Sequence, residues 1–471
     1  MHNIKLSLLS IFLSYILSAC GGSQSSANSR DNNLNESTIQ TSKPIQTNAI
    51  TQTDSSIQST TTQINTAISK KILIAFNKHV KSMKEDVHKR LKKDSKGYSD
   101  TYVLYDIQGH LQNILILADE HGDTDILKKL LELVSIPFES QYISADGKWI
   151  DRKHYTGRES NLAISQFFGL LTRTLDACAR HKVPTDTFSK SEKNLKIIHD
   201  HISSWMTDNI YYELVSDAQL FYTMSAIHFQ EYLNTIKKTN PNFLAWKEYV
   251  QNYVNNSIIP LMEEIPCQNS TANQICAVLA KDGWLNKKTK DFLYSAYGTE
   301  IKNLKSNTDP YAMFYANGNI KQAEKTPLTG ATDISHANRF NWFFESIKRF
   351  GTKSFDVSIP EKWIEGWANT LAYKVCSGSK ALPYFTIYSD GTDGWYRVGY
   401  AGRKGFGYSP GLESSMNIHF VASAYGIMGK YNTKIYTWMQ AWADNHTSKI
   451  GITKFQLDFL TSMQIDIQKP L

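Results

Sequence analysis

Residues 332–351, TDISHANRFNWFFESIKRFG, open on a knot of polar side chains: Asp333, Ser335, His336, Asn338 and Arg339. A histidine can take and return a proton near neutral pH, and an arginine can hold an anion through paired hydrogen bonds. Three other stretches share this character: YTGRESN (155–161), YYELVSDAQ (211–219) and GYSPGLESSMNIH (407–419). Helix capping accounts for Ser160, Asp217, Asp333 and Ser409 or Ser414. It does not account for Asn161, His336, Arg339 or His419, which fall inside the helices. A lone helical histidine is ordinarily a satisfied core residue. Unlike polar groups at equivalent ends of neighbouring helices point instead to a site. Carboxylates are also present, at Glu159, Glu213, Asp217, Asp333 and Glu413. Two of them facing one another across a cleft would suit glycoside hydrolysis.

The elements that must position these groups are helices. Apolar residues recur in steps of three and four at Ala163, Phe167, Leu170, Leu171 and Ala177, at Leu220, Met224 and Ile227, and at Ile334, Ala337, Phe344 and Ile347. Such a stripe marks one buried helix face. These long helices are expected to start near residues 102, 160, 217 and 333, so successive gaps are about 58, 57 and twice 58 residues. A weaker segment at Gln274–Leu279 falls in the missing slot. Second helices are expected at Asp125–Val134, Ser189–Met206, Phe243–Glu264, Lys288–Tyr297, Glu361–Lys374 and Lys434–Asp444. MSAIHF (224–229) is echoed by MNIHF (416–420). A fixed period of this size means stacked helical hairpins sharing one core. The reading is an all-α domain of six or seven hairpins, which could form an open solenoid or an α/α toroid; closure into a toroid is favoured because no polar capping repeats are evident at the ends. PYFTIYSDGTDGWYRVGYAGRKGFGYSPG (383–411) breaks the pattern. Its alternating aromatic and β-branched residues around Asp390-Gly391 and Asp393-Gly394 predict a β-hairpin. Turn chemistry explains the aspartates better than a calcium loop.

The chain begins with Lys5 and an apolar run, Leu8 to Leu17, too short to span a bilayer and of the kind found in secretory signals. Leu17-Ser18-Ala19-Cys20 follows it directly, then Gly21 and a Ser/Thr/Asn/Gln-rich stretch to residue 66. Such a stretch cannot bury enough apolar surface to order itself and is expected to be a disordered tether. The domains are therefore 1–19 signal, 20–66 tether and 67–471 helical domain. The formal charge of +7 lies in that domain: Lys5 offsets the single excess acid of the tether, where Arg30 and Lys43 face Asp31, Glu36 and Asp54. A mild positive charge suits an acidic partner. No dense Lys/Arg tract of the nucleic-acid kind is present, and an exported protein is not expected to meet nucleic acid. The 25 Tyr and 10 Trp suit a sugar-binding cleft and a helical core equally. Cys267 and Cys276 lie close together in PCQNSTANQIC and are expected to form a local disulfide in an oxidising compartment. Cys178 and Cys376 are either two buried thiols or a pair. No cysteine spacing matches a zinc motif.

Two resemblances follow from these residues. Leu17-Ser18-Ala19-Cys20 resembles the lipobox of bacterial lipoproteins. This implies a lipidated Cys20, and the absence of a retention aspartate after it implies the outer membrane. The hairpin repeat from about residue 100, with the order Asn161, His336, Arg397, Tyr400, resembles the α/α-toroid polysaccharide lyases such as alginate and glucuronan lyases. That resemblance implies β-elimination on an acidic, uronate-containing glycan, without metal or other cofactor. Asn161 and Arg397 would neutralise the uronate carboxylate. His336 or Tyr400 would take the C5 proton and the tyrosine would return one to the leaving oxygen. Tyr408 and Tyr396 are rivals for Tyr400. Arg158, Arg339, Arg403, Lys404, Trp395 and Tyr408 would contact the chain. A hydrolase on the same fold and a non-catalytic glycan-binding or scaffold lipoprotein stand as alternatives.

Overall fold

A computed structural model describes residues 76–144, 147–149, 158–206, 217–267, 274–279, 313–316, 319–322, 333–379, 381–391, 393, 411–412, 414, 416–417, 420 and 424–446. These residues are mostly helical. Helix α1 covers 76–91. Helices α2 (Tyr102–His121) and α3 (Thr124–Ser135) form a hairpin. Gly122 ends α2 in the left-handed region at φ 65°, which costs glycine little, and Asp123 then caps α3 by accepting the Ile126 N–H at 3.0 Å. The second unit is α4 (Arg158–Arg180), a short turn α5 (Asp186–Ser189) and α6 (Glu192–Met206). The third is α7 (Asp217–Thr235) and α8 (Phe243–Asn252), which continues in wider turns to Ile258. Two two-stranded antiparallel pairs follow, β1 (Met262–Pro266) with β2 (Ile275–Leu279) and β3 (Met313–Ala316) with β4 (Asn319–Gln322). Helix α9 (Ile334–Ser346) continues in wider turns to Phe355, and α10 (Glu361–Thr370) continues to Val375. The short pair β5 (Cys376–Gly378) and β6 (Pro383–Phe385), a 3₁₀ segment Ala424–Lys430 and α11 (Lys434–His446) complete the described chain.

The long first helices start at 102, 158, 217 and 334, within two residues of the spacing read from sequence. Helix α2 packs on α4, α4 on α7, α7 on α9 and α9 on Ala424–Lys430, which in turn touches α2. The contact between α4 and α7 is the most extensive. Gly169 permits it: a Cβ there would stand 2.5 Å from Cδ1 of Phe221. The core is continuous along these helices, and the fully buried Trp246, Trp342, Trp367 and Trp442 fill it at intervals.

Two expectations need correction, and a third falls partly outside the described residues. The helix expected over Phe243–Glu264 ends earlier, because Pro260 lacks the N–H to continue it, and Met262–Glu264 are strand residues. Gln274–Leu279 is no helix either. Ile275–Leu279 pairs with β1 in the register Met262↔Leu279, and a Cys267–Cys276 disulfide with Cα atoms 5.2 Å apart closes the pair. The segment begins at a β-branched isoleucine and is tied at both ends, which outweighs a weak helical period. In 383–411, β6 pairs backward with Cys376–Gly378, and not with a later strand of its own segment among the described residues. The expected second arm and the Lys288–Tyr297 helix lie outside the described residues. Cys178 and Cys376 are separate buried thiols. Burial pushes Cys178 up to about 12, with Asp119 and Asp176 adding to the shift.

The disulfide closes a loop whose ends are nine residues apart in sequence. Replacing both Cys267 and Cys276 by alanine should cost roughly 2–3 kcal/mol by loss of that constraint on the unfolded chain. A lower urea midpoint in the double variant, reproduced in the wild type by reductant, checks this.

Candidate functional site

Asp333 sits at the N-cap of α9 with extended backbone, φ −69° and ψ 157°. Its Oδ1 accepts the Ser335 backbone N–H at 2.9 Å and the Ser335 hydroxyl at 2.5 Å. Its Oδ2 lies 2.6 Å from Nδ1 of His336. A carboxylate can only accept, so the imidazole Nδ1 carries the proton there. In the neutral form of the ring the lone pair is then on Nε2. This is the arrangement by which a carboxylate fixes the tautomer of a general base. His336 and Arg339 are buried, three residues apart on one face of α9.

The site is tied to the chain beyond α10. Ile334 N–H donates to Ile387 O at 2.8 Å, and Asp333 bridges to Tyr388. The Tyr425 hydroxyl donates to Ile334 O at 2.7 Å. Burial, with Asp333 adding and Arg339 opposing, holds the Tyr425 phenol well above its ordinary range, so it stays neutral. Asp393 Oδ1 accepts the Ile387 N–H at 3.1 Å, which is turn chemistry. Asn417 Oδ1 accepts the Phe385 N–H at 2.8 Å.

The opposite ends of the long helices meet in a second polar cluster. Asp119 of α2 accepts from Arg180 of α4 at 2.8 Å and from Arg349, beyond α9, at 2.5 Å. Arg180 also reaches Asp176 at 3.0 Å. His228 of α7 lies 3.1 Å from Asp176 and 2.9 Å from the Ser346 hydroxyl of α9. Arg173 stands 2.7 Å from Glu345 Oε2, paired in charge but not aligned as a hydrogen bond, and lies over the Trp342 ring. Asp119, Asp176 and Glu345 are each held below the ordinary carboxylate range: burial opposes this, but the surrounding Arg and His groups outweigh it.

Asp176, His228 and Ser346 have the order of a hydrolase triad. Ser346 is fully buried, however, and its hydroxyl is also 2.8 Å from Trp342 O. With its proton given to Trp342 O, Ser346 accepts from Nε2 of His228 rather than being deprotonated by it, so this trio is an interior tie.

Helices that lie side by side with their later turns in contact run in the same direction. Their first turns therefore lie together at the other end, roughly 15–25 Å away at 1.5 Å per residue. That end carries Tyr102, the first turn of α4, Asp217 and the Asp333–His336–Arg339 group. It gathers several positive helix-dipole ends, which favours anions. The arginines of the other cluster sit where the negative ends converge.

Of the residues expected from sequence, the structure brings His336 and Arg339 together. Arg158 and Asn161 belong to the first turn of α4, at the same end; their side chains lie outside the described set. So do Trp395, Arg397, Tyr400, Arg403 and Tyr408, the rival Tyr396, Lys404, His419 and Cys20. Two participants were not anticipated as such. Asp333 had been assigned only a cap or a hydrolytic role, although Asp-x-x-His at a helix start places both side chains on one face. Tyr425 carried no local signal, because its contact spans 91 residues. Among the described residues, no group of three or more His, Cys, Asp or Glu could hold a metal ion. No protein-family model, curated protein or solved structure matches the chain.

Proposed function

We propose that the chain is an envelope-anchored polysaccharide lyase that cleaves an acidic, uronate-containing glycan by β-elimination. The observation that carries this reading is the Asp333–His336 pair, a base oriented by a carboxylate at the end where helix N-termini converge. Arg339 beside it and the positive charge of the chain suit a polyanionic substrate. The circuit of helix contacts from α2 round to Ala424–Lys430 and back to α2 supports an α/α toroid of six or seven hairpins.

In this reaction Nε2 of His336 removes the C5 proton. Electrons of the C5–H bond form the C4–C5 double bond, and the C4–O bond breaks. Tyr400 gives its proton to the leaving oxygen. Asn161 and Arg397 hold the carboxylate, whose charge otherwise makes the C5 proton barely acidic. The base, the acid and the carboxylate clamp are all side chains. Hydrolysis would need two uncommitted carboxylates, and Asp333 is not one of them, since both its oxygens are engaged with His336 and Ser335. Incubation with polyuronates should produce the ultraviolet absorbance of an unsaturated uronate, and a neutral glucan should not. Reducing ends without that absorbance would instead indicate a hydrolase, and no product would indicate a binding protein.

The anchor reading has its own test. Cys20→Ala should move the protein from the outer-membrane fraction to the soluble fraction. Retention of this variant would mean that the lipobox reading is wrong or that something other than a lipid on Cys20 holds the protein at the membrane.

A further inference from the structure

The segment joining α1 to α2 is organised in an unusual way for a surface turn. Asp94 Oδ1 accepts the backbone N–H groups of Lys96 at 2.9 Å and Tyr98 at 3.1 Å. Asp94 N–H donates to Tyr98 O at 2.8 Å, and Gly97 N–H donates to Asp94 O at 2.9 Å. Gly97, at φ 80°, supplies the left-handed position the turn needs. Arg90 anchors its far side through Asp100 at 2.7 Å and Asp106 at 2.5 Å. The segment's carboxylates are thus engaged, Asp94 by the turn's own backbone and Asp100 by Arg90. Its cations are not: Lys92, Lys93 and Lys96 are exposed and make no ion pair among the described residues, and Lys89 of α1 is exposed as well. Tyr98 stands among them, 39% exposed. The turn leads directly into Tyr102, the first residue of α2, through Asp100, whose Oδ1 accepts the Tyr102 N–H at 3.2 Å. It therefore lies at the same end of the helix array as Asp333 and His336.

We propose that this turn is an accessory binding site for the acidic glycan at the rim of the mouth. Lys92, Lys93 and Lys96 meet successive carboxylates, and Tyr98 lies against a sugar ring. The site extends the lyase reading and rests on it for the identity of the glycan. A preformed turn presents these groups at little further entropic cost, which is the condition for a weak but specific polymer contact. Three features favour a linear polyanion over a lipid surface. The lysines are exposed and close together in the chain, an exposed aromatic ring follows within two residues of Lys96, and the turn leads into the start of α2.

The test uses the full chain carrying Cys20→Ala, so that no lipid contributes to binding. Affinity is measured for polygalacturonate, for dextran and for phosphatidylglycerol vesicles. The charge-reversal variant Lys92→Glu/Lys93→Glu/Lys96→Glu should weaken polygalacturonate binding roughly tenfold and flatten its salt dependence. Tyr98→Ala should weaken it several-fold without changing the salt dependence, and dextran should not bind in either case. Melting temperatures report whether the variants fold. Equal polygalacturonate binding by wild type and charge-reversal variant overturns the proposal. So does vesicle binding that the reversal abolishes while polygalacturonate is not bound. Binding is read without turnover. If the reversal costs affinity but no unsaturated product forms, the lyase reading fails and the rim site stands.

Discussion

His336→Ala should lower turnover on the cleaved polyuronate by roughly 10²–10⁴-fold, the usual worth of a positioned general base. The melting temperature should fall as well, because the substitution empties a buried site and takes a partner from Asp333, but α9 should still form. Alanine is a good helix former, and Asp333 keeps its hydrogen bond to the Ser335 N–H and so continues to cap α9. Under the proposed mechanism the loss should appear in kcat, because a base acts on the proton in flight and the proposed binding residues are unchanged. Asp333→Asn separates orientation from capping. Asparagine caps as well as aspartate, so α9 should hold. Its amide would, however, donate to Nδ1 where the carboxylate accepted, which moves the imidazole proton to Nε2 and removes the lone pair from that atom. We therefore expect Asp333→Asn to lose most of the activity that His336→Ala loses, with wild-type stability. Unchanged turnover in both variants would remove His336 from the mechanism. A large fall in melting temperature for His336→Ala with normal turnover would make it a core histidine.

What could be read from sequence follows the range of the interaction. The starts of α2, α4, α7 and α9 were legible because a helical stripe is a local pattern and because the hairpins recur at a near-constant spacing. The Cys267–Cys276 bond was legible for the same reason, as both cysteines lie within one short loop. The β1–β2 pair was not, since a few residues of weak periodicity say little about whether a strand partner waits on the far side of a turn. The β3–β4 pair flanks Asn317-Gly318, a hairpin dipeptide that the helical period masked. The polar start of α9 was visible, but its partner contacts were not. Tyr388 and Tyr425 reach it from beyond α10, and nothing in either neighbourhood marks them. The cluster around Asp119 was still less accessible, although Asp176–Arg180 and Glu345–Arg349 stand at the i, i+4 spacing of helical ion pairs. Only the packing of four helices makes those two surface-like pairs one interior network.

That network should carry the largest single contribution to stability that a side-chain substitution can reveal. Its charges balance: Arg173, Arg180 and Arg349 face Asp119, Asp176 and Glu345. Asp119 is the shared acceptor, fully buried, and ties α2 to both α4 and the extension of α9. Asp119→Asn keeps the shape and removes the shared charge, leaving Arg180 and Arg349, each partly exposed, with Asp176 and Glu345 as their remaining carboxylate partners. Breaking a fully buried pair costs about 3–5 kcal/mol, and the remaining partners make that an upper bound here. For a domain of this size that is a fall in melting temperature of roughly 5–10 °C. The pH dependence has a definite sign. Asp119, Asp176 and Glu345 all have folded pKa values below their ordinary 3.8, 3.8 and 4.5. The folded state therefore binds fewer protons than the unfolded chain as pH enters that range. The stabilisation is fully present above the ordinary values and is lost as pH falls through the depressed ones. Wild-type melting temperature should stay level from neutral pH down to about 5 and drop steeply below about 4. Asp119→Asn should start lower and drop less, because one of the three groups no longer titrates. Parallel acid limbs in the two proteins would mean that Asp119 does not contribute to acid unfolding. An unchanged melting temperature at neutral pH would mean that Arg180 and Arg349 find compensation elsewhere, with Asp176 and Glu345 the groups to replace next.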